Sequence, residues 1–97
     1  MRLDQFLRAS RLVLRRAAAQ ELCEAGAVRV NGLPARSARP VRVGDEISLR
    51  RRGSLLTVRV TALPAARQTS RREAPTLYEI LSETPLGEDL FEEYKSQ

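Results

Sequence analysis

Residues 15–32, Arg-Arg-Ala-Ala-Ala-Gln-Glu-Leu-Cys-Glu-Ala-Gly-Ala-Val-Arg-Val-Asn-Gly, change their apolar period midway, and that change decides the fold. Ala18, Ala19, Leu22 and Cys23 recur at helical spacing, so residues 15–25 are expected as a helix. Gly26 falls where a helix ends on a glycine, the residue that tolerates the left-handed conformation needed there. The period then drops to two. Val28 and Val30 flank Arg29, and Asn31-Gly32 follows, a hairpin signal because both central positions of a type I′ turn need positive φ.

Working outward, Leu3, Phe6 and Leu7 predict a short amphipathic helix over residues 2–9, broken by Ser10 and Arg11, with a turn carrying Leu12 to Leu14. Beyond the hairpin, Pro34 makes the return strand an edge or irregular one. Val41, Val43 and a Gly44-Asp45 turn lead into a strand with Ile47 and Leu49. Arg50 to Ser54 is expected as an exposed turn, and Leu56, Val58, Val60 and Ala62 as the inward positions of a half-buried strand ended by Pro64. Residues 65–74 lack a pattern and are expected as a basic linker. After Pro75, Leu77, Ile80 and Leu81 return to helical spacing, and after Pro85 and Gly87 so do Leu90, Phe91 and Tyr94. These are expected as two short helices, or as segments that fold on a partner. The expectation is an α+β chain: a domain over 1–64 with two N-terminal helices on a small, mostly antiparallel sheet, a linker over 65–74, and an acidic helical tail over 75–97.

Ninety-seven residues suffice for one domain with a modest core and leave no room for a separate catalytic domain. Only Phe6, Tyr78, Phe91 and Tyr94 are aromatic, so aliphatic packing must carry that core. No apolar run approaches the roughly 18 residues of a membrane span, and Arg2, Asp4, Arg8 and Arg11 interrupt any signal-peptide region. One cysteine cannot form an internal disulfide, which suits a reducing cytoplasm. The charge is segregated: residues 1–72 hold sixteen arginines and no lysine against five acids, while residues 73–97 hold seven acids and Lys95. A basic module followed by an acidic segment is the electrostatic footprint of a polyanion binder.

Catalysis finds little support. There is no histidine, and Cys23 lies on an apolar helical stripe with no base beside it. No zinc-ligand spacing, phosphate-binding loop or dinucleotide glycine pattern occurs, so no metal or cofactor is expected. Asp45-Glu46 suits turn geometry better than acid–base work.

The arginines are more informative. Arg15 and Arg16 open the second helix, where cations oppose the macrodipole by about 0.3–1 kcal/mol. That placement is poor for stability alone but good for an anion site, since guanidinium groups converge with free backbone N–H groups. Arg8 and Arg11 precede them, so Arg8, Arg11, Arg15 and Arg16 are expected to form one patch, which Arg29 extends; the alternative is that they are simply solvated. Asp4 serves as a helix-start charge or orients a neighbouring arginine, and Arg50 to Arg52 form a solubilising turn or a second phosphate-contacting loop. With Phe6 on the core stripe, the basic half has no exposed aromatic for base stacking. Phosphates and RNA shape are therefore the expected targets.

Arg2-Leu3-Asp4-Gln5-Phe6-Leu7, Ser10-Arg11-Leu12, Arg15-Arg16-Ala17, Gly26 to Gly32 and Gly44-Asp45-Glu46-Ile47, in this order and spacing, resemble the S4-type RNA-binding domain over residues 1 to about 50. That resemblance implies an αL-like RNA-binding motif. It also implicates Arg2, Arg11, Arg15, Arg16 and Arg29 in RNA contact, with Asn31 and Gly32 shaping the hairpin. The position held by Ala17 often carries a hydroxyl residue in the family, which implies one phosphate contact fewer here. With the domain starting at Met1 and no enzyme domain following, the chain is most similar to free-standing members, a ribosome-associated quality-control factor and a related heat-shock protein. These imply rRNA and tRNA of the large ribosomal subunit as partners and a role in quality control of stalled nascent chains; a monomer in the cytoplasm is expected. Two other readings stay open: a general structured-RNA module in ribosome assembly, and a module whose acidic tail docks a protein or folds back over the arginines.

Overall fold

The computed structural model describes residues 1–65 and 69–86. Two helices, α1 (Leu3–Ala9) and α2 (Arg16–Glu24), precede β1 (Val28–Val30), β2 (Leu33–Pro34), β3 (Glu46–Arg51) and β4 (Ser54–Val60). A 3-10 turn over Ala74–Leu77 leads into β5 (Tyr78–Pro85). The strands form one antiparallel sheet in the order β2-β1-β3-β4-β5. Alternation turns Val28, Val30, Ile47, Leu49, Leu56, Val58 and Val60 to one face, all buried. Leu3, Phe6 and Leu7 of α1 and Ala19 and Cys23 of α2 complete this core. Each large apolar side chain fully buried there contributes about 1.5–3 kcal/mol.

The expected helices and hairpin are in place. Asn31 and Gly32 both take positive φ, 52° and 83°, and β2 is a two-residue edge strand ending at Pro34. Asn31 also reaches across the molecule: its side-chain amide donates to Asp45 Oδ1 at 3.1 Å, and its Oδ1 accepts from the Glu46 N–H at 3.0 Å. Asp45 Oδ2 accepts from the Arg42 N–H at 2.9 Å, a turn-shaping role. Only Arg52 and Gly53 form the β3–β4 turn, both at positive φ; Arg50 and Arg51 belong to β3.

Beyond Pro75 the structure corrects the expected helix. Residues 74–77 make a 3-10 turn whose Ala74 and Leu77 are buried, and residues 78–85 are a strand on the open edge of β4. The reason is a β-bulge. Thr57 pairs with Ser82 and Val58 with Ile80, leaving Leu81 without a partner. Leu77 lies in the 3-10 turn before the strand, and the extra residue breaks two-residue alternation at Ile80 and Leu81, so the three together imitate helical spacing. Within the stretch expected as a linker, the Thr69 hydroxyl donates to the Ala9 carbonyl and Ala74 N–H to Ser70 O at 3.0 Å. The segment with Leu90, Phe91 and Tyr94 lies outside the described residues.

Candidate nucleic-acid interface

The candidate interface begins with a buried acid. Asp4, in the first turn of α1, has no exposed surface, yet every polar atom it brings inside has a partner. Its Oδ1 accepts from Arg2 Nε at 3.2 Å and from the Gln5 N–H at 2.8 Å. Its Oδ2 accepts from Arg2 Nη2 at 3.2 Å, Arg16 Nε at 3.3 Å and Gln20 Nε2 at 3.0 Å. Burial pushes this carboxyl up, but hydrogen bonds from Gln20 and Arg16 and the charges of Arg2 and Arg16 outweigh it and leave it below the usual carboxylate range. One carboxylate thus orders two guanidinium groups that keep 43% and 42% of their side-chain surface in solvent. Among the described residues their remaining N–H groups have no partner and are available to an anion.

Local sequence places the parts. Gln5 Oε1 accepts from the Arg2 N–H at 3.2 Å, holding the start of α1. The loop before β3 braces the same end, with Leu3 N–H donating to Arg39 O at 2.8 Å and Val41 N–H to Met1 O at 2.9 Å. In α2, Arg16 and Gln20 are one turn apart and face Asp4 together. Arg15 is the N-cap with extended backbone, among the described residues no side chain caps that end, and no acid occupies the first turn. Among the described residues that turn leaves backbone N–H groups without a side-chain partner beside Arg15 and Arg16.

Of the six expected residues, Arg2 and Arg16 are brought together through Asp4. Arg11 and Arg15 share a groove with Arg51 and Arg52 on the other flank of α2, because Ala19 and Cys23 sink into the core between the two sets. Arg11 has φ 60°, and its Nη2 donates to Thr69 O at 3.1 Å. Arg8 is half-buried in the last turn of α1, where its charge suits the helix end; among the described residues no side-chain bond ties it to the others. Arg29 does not extend the patch. It projects from the sheet face opposite the helices, in a cleft with Ser48 and Arg50, because neighbours on a strand point to opposite faces.

Sequence reasoning missed Gln20 and the paired use of Asp4 by both arginines. The Arg16–Gln20 spacing carried a signal; the separation of twelve positions between Asp4 and Arg16 did not. Cys23 is buried, and burial, then Asp4 and Glu24, push its thiol up, away from the reactive thiolate. No group of three or more metal-ligating side chains occurs among the described residues, and no helix among them is long and apolar enough to cross a membrane.

Residues 1–47 match the S4 domain family model. The chain is 44% identical over 88 residues to an RQC P-site tRNA stabilizing factor of Halalkalibacterium halodurans, covering 90% of this chain and 97% of that protein. It is 42% identical to the factor of the same name in Bacillus subtilis, covering 91% and 100%. Among solved structures, Heat Shock Protein 15 of Vibrio cholerae superposes with a TM-score of 0.78 at 26% identity, over 99% of this chain and 91% of that one.

Proposed function

The chain belongs to the family of S4-domain proteins that contains the RQC P-site tRNA stabilizing factors, and on that premise we propose that it is an RNA-binding factor of ribosome-associated quality control. It binds rRNA of the large subunit together with the tRNA of a stalled nascent chain, in the cytoplasm and without catalysing a reaction. One observation carries this reading: Asp4 sets Arg2 and Arg16 side by side at the open N-terminal end of α2. Two fixed guanidinium groups with outward N–H donors match the phosphates of folded RNA, and the names of the relatives supply the kind of RNA.

The test is binding to purified large subunits that carry peptidyl-tRNA, to empty large subunits, and to an unrelated folded RNA. Tightest binding to the peptidyl-tRNA complex is expected. Equal binding to all three would leave a general structured-RNA module instead.

A further inference from the structure

The groove on the second flank of α2 has a composition that phosphate binding alone does not require. It is a half-open groove of about 410 Å³ between the α1–α2 connection, α2 and the end of β3 with the turn that follows, a volume in the range of about 300–1,000 Å³ usual for small-ligand clefts. Arg11, Arg15, Arg51 and Arg52 form its walls, while Leu14 and Leu22 give it an apolar side. Leu14 is 68% exposed although it sits close to two arginines. Arg51 donates through Nη1 to the Leu12 carbonyl and Arg11 to Thr69 O, so two of the guanidinium groups are held in place. Among the described residues none of the four pairs with an acid; those ion pairs belong to Arg2, Arg16 and Arg59.

We infer that this groove receives one unpaired nucleotide of folded RNA, its phosphate on the guanidinium groups and its base against Leu14. The inference rests on the RNA-binding reading above and narrows its ligand. Stacked bases of an RNA duplex present only backbone and a shallow groove, so they cannot fill a recess with an apolar side. A base splayed out of a bulge or loop can, since its faces pack on aliphatic carbon and on guanidinium planes. The same nucleotide supplies phosphate charge where four arginines lack acids.

The experiment compares two RNA hairpins of identical stem, one carrying a single unpaired 2-aminopurine, by anisotropy and by 2-aminopurine fluorescence at fixed salt. The bulged hairpin should bind about ten-fold tighter, in line with one stacked base, and its 2-aminopurine signal should change on binding. Leu14→Ser, at an exposed position, should level the two affinities while leaving the paired hairpin unaffected. Arg52→Gly relieves a φ of 50°, so it should fold, and it should weaken the bulged hairpin more than the paired one. Equal binding of both hairpins by the unaltered chain, or a preference that survives Leu14→Ser, overturns the inference. Absence of binding to either hairpin overturns the RNA-binding reading as well.

Discussion

Asp4 concentrates three roles in one side chain: it starts α1, fixes α2 against it through Gln20 and Arg16, and orders two arginines. Replacing it with alanine removes five hydrogen bonds from half-buried donors, so a loss of about 1–3 kcal/mol is expected by denaturant titration. Because the folded-state carboxyl titrates below its ordinary 3.8, its stabilisation is complete above that value and is lost as pH falls through the lowered one. An Asp4→Asn chain should therefore show a flatter stability profile below about pH 4; parallel acid-denaturation curves would show that the charge contributes nothing. Removing the charge also strengthens the positive field, but at about 7 Å in water that amounts to only ~0.6 kcal/mol before screening. Unfixing two arginines costs about 0.5–1.5 kcal/mol each on binding. Ordering wins, and RNA affinity of Asp4→Asn should fall several-fold in a binding titration.

At the level of elements, the strand β5 and the 3-10 turn before it show how a local pattern can mislead. Leu77, Ile80 and Leu81 would share one face of a helix, whereas Leu77 is 2% exposed and Ile80 and Leu81 are 56% and 37% exposed. Leu77 holds the end of β4, its carbonyl accepting from Thr61 N–H at 2.9 Å. Leu77→Ala should cost about 2–5 kcal/mol, in the range for emptying a core site, and Leu81→Ala far less. Equal losses in the two denaturation curves would favour the helical arrangement. The two helices and the Asn31-Gly32 hairpin were legible because their period, caps and turn chemistry are local. The bulge was not, since it exists only relative to Thr57 and Val58 on the neighbouring strand.

Across the whole molecule, charge sets the range of action and geometry sets the fit. The Arg15→Ala/Arg16→Ala double variant should weaken RNA binding and flatten its salt dependence by about one unit of slope for each phosphate no longer neutralised. An unchanged slope in a salt series would take both residues out of the interface. Residues 87–97 carry Glu88, Asp89, Glu92 and Glu93 against Lys95, so their removal raises the net positive charge. Tighter RNA binding at low salt is expected, fading as the Debye length shrinks to about 3 Å at 1 M; equal affinity at low salt would show that these acids do not act on the interface.

The amino-acid order alone determined the segregation of charge, the helix–helix–hairpin beginning and the arginines at the start of α2, because each follows from spacing within a few residues. Only the tertiary structure decided which arginines lie together. Arg16 joins Arg2 through Asp4, Arg11 and Arg15 join Arg51 and Arg52, and Arg29 goes to the far face of the sheet. That partition depends on which stripe of α2 enters the core and on strand register, and long-range packing sets both.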